Sequence, residues 1–130
     1  MRPWAGSCRS AAARSWRRGF SLPDDCLFCR LAREGDHVAK ADGFAAIRDI
    51  NPQAETHLLV LPERHVDTFR NVDAFPAEES KRMLAFVAQV AREAGLTDYR
   101  VVVNVGPGGG QTIFHLHWHV LGGKITGMPE

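Results

Sequence analysis

Three histidines alternate with apolar residues near the end of the chain, in the stretch FHLHWHVLGG at residues 114–123. Alternation is the period of a β-strand, so His115, His117 and His119 should project from one face of a sheet and the apolar residues between them from the other. The segment therefore predicts a strand over residues 113–121 that carries three imidazoles on one face.

A long amphipathic helix is predicted over residues 77–94. Glu78 and Glu79 favour its first turn, and Gly95 is a natural end. The apolar residues that recur at helical spacing are Met83, Phe86, Val87, Val90 and Ala94. This helix separates two groups of strand-like segments.

The other predicted elements are short and show no alternation of strand, helix and strand. They are a helix over 24–34 capped by Asp24 or Asp25 and ended by Gly35, a hairpin over 38–50 that turns at Asp42 and Gly43, and strands over 56–62 and 99–105. This order favours an α+β domain with one antiparallel sheet and the long helix on its face.

The chain of 130 residues suits one domain, residues 23–130, preceded by an extension over 1–22 that contains five arginines and no acidic residue. The rest then has 11 basic and 15 acidic side chains, a net charge of −4, which argues against binding nucleic acid through phosphates. The extension resembles an organellar transit peptide in composition; the alternatives are a flexible extension or an upstream start codon taken for the true one. No apolar run could cross a membrane, so we expect a cytoplasmic protein, with an organelle as the alternative.

The pair Cys26 and Cys29, spaced C-x-x-C, is typical of metal or redox chemistry in a reducing compartment. Zinc needs four ligands, and His57, His65 and His115 are candidates to complete the set. The alternative is that both cysteines are simply buried. Histidines i and i+4 of one strand lie about 13 Å apart, so the three alternating histidines cannot share one ion with Zn–N bonds of about 2 Å.

The segment NVGPGGGQT (104–112) leads directly into the histidines. Its glycines let backbone N–H groups converge on an anion, and Asn104, Gln111 and Thr112 add polar side chains. A neutral imidazole is a good nucleophile toward phosphorus near pH 7, and a second histidine can act as a proton donor. The combination points to phosphoryl or nucleotidyl transfer through a histidine.

These motifs resemble the histidine triad (HIT) superfamily, whose motif is matched by QTIFHLHWHVL (111–121). Similar blocks are CLFCRL (26–31), DINPQAETHLLVLPERH (49–65) and VVVNVGPGGGQTIFHLHWHVLGG (101–123). The Leu-Gly-Gly after the triad is most similar to the Hint branch. That resemblance implies a homodimeric HIT fold with one short and one long helix per protomer. It also implies hydrolysis of purine nucleoside 5′-phosphoramidates through a nucleotidyl-histidine.

The resemblance further implies a role for each matched position. His117 is the nucleophile, His119 and Thr112 act on the phosphate and the leaving group, and His57 supports the triad. Substrate contacts are expected from Asn104, the Gly110 amide and Gln111 at the phosphate, Asp49 at the ribose, and Leu27, Phe28, Leu31, Ile47 and Ile50 around the base. A structural zinc is expected on Cys26, Cys29, His65 and His115.

One departure from the family lies at the C-terminus, where Met128 stands at the usual position of a tryptophan. This leaves the choice of leaving group open. Alternatives to a phosphoramidase are a dinucleoside polyphosphate hydrolase and a non-catalytic nucleotide-binding or zinc-stabilised interaction protein.

Overall fold

The computed structural model describes residues 26–130, so the extension over 1–22 lies outside the described residues. The helices are α1 (Leu27–Glu34) and α2 (Ala77–Glu93), and the strands are β1 (Ala39–Ala41), β2 (Phe44–Arg48), β3 (Ala54–Pro62), β4 (Tyr99–Val102) and β5 (Trp118–Ile125). Short 3₁₀ segments lie at Phe69–Ala74 and Pro107–Gly109. The α+β class is confirmed.

The five strands form one antiparallel sheet in the order β1-β2-β3-β5-β4. Asp42 and Gly43 form the predicted turn between β1 and β2, and Gly43 has a φ of 90°, a left-handed conformation that favours glycine. The central pair β3 and β5 places His57 opposite Leu121 and Leu59 opposite His119. The register thus brings two sequence-distant histidines onto neighbouring strands.

The sheet is covered on both faces, which explains the run of four consecutive buried apolar residues, Leu58 to Leu61, in β3. One face packs on α2, with Leu58, Val60, Trp118 and Val120 among the buried residues of that core. The other face packs on α1, where Phe28 and Ala32 meet Ile47, Leu59 and Leu61. The prediction that the long helix covers one face is confirmed.

Several predicted boundaries differ from those of the structure. The histidine strand begins at Trp118 rather than 113, because the ladder with β3 and β4 reaches only that far. The alternation nevertheless extends beyond the ladder, since Leu116 is buried in the α2 core while His115 and His117 contact the α1 residue Phe28. β4 ends at Val102 rather than 105.

Helix α1 also begins later than predicted, and its N-cap is Cys26 rather than an aspartate. The Sγ of Cys26 accepts a hydrogen bond from the backbone N–H of Cys29 at 3.2 Å. The same sulfur therefore satisfies a free N–H of the first turn and faces the cluster described below.

Candidate active site and metal centre

Cys26, Cys29, His65 and His115 form a compact cluster at the start of α1. The Nδ1 of His115 lies 3.3 Å from each cysteine Sγ and 3.2 Å from the Nδ1 of His65. The Nδ1 of His65 lies 3.3 Å from the Sγ of Cys29. Three of the four residues are buried. They are the four residues that the family resemblance assigns to a zinc site.

The outer hydrogen bonds of this cluster fit a metal. The Nε2 of His115 donates to the carbonyl of Pro62 at 2.8 Å, and the Nε2 of His65 contacts the carboxylate of Asp67. Each ring therefore keeps its proton on Nε2 and turns a bare Nδ1 toward the sulfurs, as metal-ligating histidines do. The pKa of Cys26 is lowered to about 4, chiefly by its hydrogen bond with Cys29 and against the effect of burial. Thiolates and neutral imidazoles are the ligands that zinc prefers.

A second cluster joins Asp49, His57 and His119 across strands β3 and β5. The Nε2 of His57 lies 2.9 Å from the Nδ1 of His119 and 3.2 Å from Oδ2 of Asp49. The other oxygen of Asp49 accepts the backbone N–H of Asn51 at 2.8 Å. Both rings are buried, and the Nε2 of His119 has no hydrogen-bond partner among residues 26–130.

Burial keeps the two histidines of the second cluster uncharged. It lowers the pKa of His119 to about 3, with smaller effects from His117 and His57. It also lowers the pKa of His57, although the charge of Asp49 opposes this shift. Both histidines are therefore neutral near pH 7.

His117 lies between the two clusters. Its ring is in edge contact with Phe28 and with His119, each with a centroid distance of 5.0 Å. Its Nδ1 lies 2.7 Å from the carbonyl oxygen of His115, which can only accept, so Nδ1 carries the proton and Nε2 holds a free lone pair. Burial lowers its pKa despite this hydrogen bond, so the lone pair persists at neutral pH.

A cavity of about 380 Å³ opens beside His117. It includes the expected base-pocket residues and both Asp49 and Thr112. Its lining residues are Leu27, Phe28, Leu31, Ile47, Arg48, Asp49, Ile50, Asn51, Gln53, Leu59, Thr112, Ile113, His117, Met128 and Glu130. The structure thus brings the apolar pocket, the Asp49 carboxylate and the His117 ring into one concave site.

The glycine loop differs from the expectation. The N–H of Gly110 donates to the carbonyl of Pro107 at 3.1 Å, so it is used within the loop rather than offered to an anion. The amide of Gln111 is also engaged: it accepts from the N–H of Gly106 and donates to the carbonyls of Asp67 and Ile113. The Gln111 side chain thus stabilises the loop through three hydrogen bonds. The amide of Asn104 donates to the carbonyl of Pro129 at 3.1 Å, which ties the loop to the C-terminal segment.

Two contributors were missed by sequence reasoning. Asp67 orients His65, and its position two residues along the chain was the available signal. The backbone N–H of Gln53 donates to the Nδ1 of His57 at 2.9 Å, and no residue pattern could indicate that contact because it uses no side chain.

A family model described as the HIT domain matches residues 31–126 of this chain. The chain belongs to the HIT family. The match includes both His65 and His115 of the first cluster, the glycine loop and the whole triad.

Named relatives extend this assignment. The chain is 33% identical over 111 residues to the purine nucleoside phosphoramidase of Escherichia coli K12, covering 82% of this chain and 93% of that protein. It is 35% identical over 106 residues to the protein HitA of Neisseria gonorrhoeae, covering 78% and 99% of the two chains.

Solved structures agree with the fold. A HIT family hydrolase from Legionella pneumophila aligns with a TM-score of 0.68 and 36% identity over 81% of this chain and 98% of that one. A Zn-bound histidine triad family protein from Mycobacterium smegmatis aligns with a TM-score of 0.62 and 28% identity over 76% and 75%. HIT membership supports a hydrolase that binds nucleotides. No helix within residues 26–130 has the length and hydropathy needed to cross a membrane.

Proposed function

We propose that this protein hydrolyses the P–N bond of purine nucleoside 5′-phosphoramidates. The observation that carries the proposal is His117, whose proton is held on Nδ1 by the carbonyl of His115 while Nε2 remains a lone pair beside the cavity. The relative named a purine nucleoside phosphoramidase supports the choice of substrate.

In the proposed reaction the Nε2 lone pair of His117 attacks phosphorus, and the P–N bond breaks with its electron pair going to the amine nitrogen, which takes up a proton. Water then attacks the phosphorus of the nucleotidyl-histidine, releasing a nucleoside monophosphate and restoring the ring. The ring is cationic in the intermediate, and the His115 carbonyl 2.7 Å from Nδ1 stabilises that charge.

The other expected residues support binding. Asp49 lines the cavity and keeps lone pairs for ribose hydroxyls, although it also contacts His57. The hydroxyl of Thr112 is exposed at the cavity and suits a phosphate oxygen. His119 has a pKa of about 3, so its ring is neutral near pH 7. A neutral ring is better suited to donating a hydrogen bond to a phosphate oxygen than to protonating the amine.

The metal centre has a structural role in this proposal. Zinc held by Cys26, Cys29, His65 and His115 would connect the start of α1 to the segment after β3 and to the triad segment. A bound zinc supplies cross-linking of these elements and no chemistry at phosphorus. Its ligand set contains no carboxylate and shares no residue with the second cluster.

We also propose that the protein is a homodimer. β4 is an edge strand whose Tyr99 and Val101 are 40% and 42% exposed. Exposed apolar residues on an open edge favour pairing with a second chain. Val101→Asp should yield a monomer in light scattering coupled to size exclusion. Val38→Asp, at a similarly exposed valine near the opposite edge, should not. An equally dimeric Val101→Asp protein would contradict this use of β4.

The activity test measures turnover of a fluorogenic adenosine phosphoramidate by the wild type, His117→Ala and the control His37→Ala, whose ring lies outside both clusters. His117→Ala should lose at least about 10³-fold in kcat/KM, since it removes the nucleophile. Faster hydrolysis of dinucleoside polyphosphates than of phosphoramidates would indicate the hydrolase alternative. Nucleotide binding without any turnover would indicate the non-catalytic one.

A further inference from the structure

The backbone N–H of Gln53 acts directly on the second cluster. It donates to the Nδ1 of His57 at 2.9 Å. A ring nitrogen that accepts an N–H carries no proton of its own. The single proton of neutral His57 therefore lies on Nε2.

The position of that proton determines the tautomer of His119. The Nε2 of His57 lies 2.9 Å from the Nδ1 of His119, a distance at which two protonated nitrogens cannot face each other. The Nδ1 of His119 is therefore bare, whether His57 donates to it or to Asp49 at 3.2 Å. Neutral His119 then has its proton on Nε2, the buried atom that has no partner among residues 26–130.

We propose that Gln53 is a positioning residue whose backbone N–H fixes the tautomers of His57 and His119, so that His119 presents Nε2–H as a permanent donor to an anionic phosphoryl oxygen. The catalytic consequence rests on the proposed function, but the proton positions do not. With the opposite tautomers, a bare Nε2 lone pair would face that anionic oxygen and repel it.

The same hydrogen bond keeps the pair of rings neutral. Of the four ring nitrogens of His57 and His119, the facing pair shares one proton and Nε2 of His119 holds the other. An extra proton would have to go to the Nδ1 of His57, where it would meet the Gln53 N–H. His119 is thus a donor of a hydrogen bond rather than of a proton.

The tautomer of His117 is fixed by a backbone acceptor, whereas that of His57 is fixed by a backbone donor. The carbonyl of His115 holds the proton of His117 on Nδ1, whereas the amide of Gln53 leads to a proton on Nε2 of His119. Two adjacent histidines of one segment thereby acquire opposite tautomers, one with a lone pair and one with a donor at Nε2.

The direct test is ¹⁵N NMR of the histidine rings in the full-length, metal-loaded, substrate-free protein. We expect protonated Nε2 in His57 and His119, protonated Nδ1 in His117, and a scalar coupling between the Gln53 amide nitrogen and the Nδ1 of His57. A proton on Nδ1 of either His57 or His119 would overturn the proposal. This experiment needs no turnover, so it stands apart from a failure of the proposed function.

A pair of variants tests the consequence. Gln53→Pro removes the N–H, and Gln53→Ala removes only the side chain. We expect His57 in Gln53→Pro to shift its proton to Nδ1 and kcat to fall at least about tenfold below that of Gln53→Ala. Metal content should be equal in both. A folded Gln53→Pro protein with unchanged tautomers would overturn the proposal, and if this variant does not fold, the wild-type spectrum decides.

Discussion

Two histidine clusters lie side by side in this protein, and their inner geometry is similar. The donor atoms of Cys26, Cys29, His65 and His115 all lie within 4.8 Å of one another, and so do those of Asp49, His57 and His119. Distance alone would assign a metal to either one. The outer hydrogen bonds separate them.

In the first cluster each histidine gives its Nε2 proton to an acceptor, the Pro62 carbonyl or the Asp67 carboxylate. The inward nitrogens are therefore bare and suited to a cation. In the second cluster a donor, the Gln53 N–H, occupies the outer nitrogen of His57 and forces a proton inward. The donor or acceptor behind each ring, a backbone group or the Asp67 carboxylate, therefore decides whether the inward nitrogen is suited to a metal or carries a proton.

The largest expected effect comes from removing a ligand of the first cluster. Cys29→Ser should abolish stoichiometric zinc in elemental analysis and lower the free energy of unfolding by more than about 4 kcal/mol, because loss of a structural metal is among the severe changes. Cys8→Ser is the control cysteine. A Cys29→Ser protein that retains zinc and stability would show that this cluster is not a metal site.

Removing one carboxylate from each cluster should affect zinc binding differently. Asp67→Ala removes the partner of the His65 Nε2 and should weaken zinc binding about 10- to 100-fold in a competition with a chelating dye. Asp49→Ala, at the carboxylate of the other cluster, should leave zinc affinity as in the wild type. Equal losses in the two variants would erase the proposed distinction between the clusters.

Acid should destabilise the protein through the second cluster. Its histidines have folded-state pKa values below the ordinary 6.5, reaching about 3 for His119. At a pH between the folded-state and unfolded-state pKa values, the unfolded chain binds more protons than the folded protein. The contribution of these neutral histidines to stability is therefore fully present above pH 6.5 and is lost as the pH falls. In urea unfolding at pH 7 and pH 5, His119→Gln should show a smaller loss than the wild type. The cluster of Cys26, Cys29, His65 and His115 is present in both proteins, so its contribution to the pH dependence of stability cancels when the two are compared. An identical loss in the two proteins would contradict the burial effect.

The smallest effect is expected where the clusters meet. His115 belongs to the first cluster through its ring and holds His117 through its carbonyl. Chelation of the metal should therefore lower kcat by about tenfold or less through misplacement of His117, with recovery when zinc is restored. No change at all would mean that the clusters work independently, and a loss as large as that of His117→Ala would mean that the metal is needed for chemistry.

Much of the site follows from the sequence because its signals are local or compositional. The C-x-x-C of Cys26 and Cys29, the alternation around His117 and the glycine segment each name their residues directly. The assignments of Gly110 and Gln111 were less successful, because a glycine-rich loop can satisfy its own N–H groups. Only the folded loop shows that Gly110 donates to Pro107.

The sequence alone predicted the α+β class, one antiparallel sheet with the long helix on its face, and the residue types of the candidate site, because periodicity and residue chemistry are written along the chain. Tertiary structure alone decided which histidine nitrogen carries each proton. Those positions depend on the Pro62 and His115 carbonyls and the Gln53 amide. Backbone groups are the same at almost every residue, so only their placement in space makes them specific.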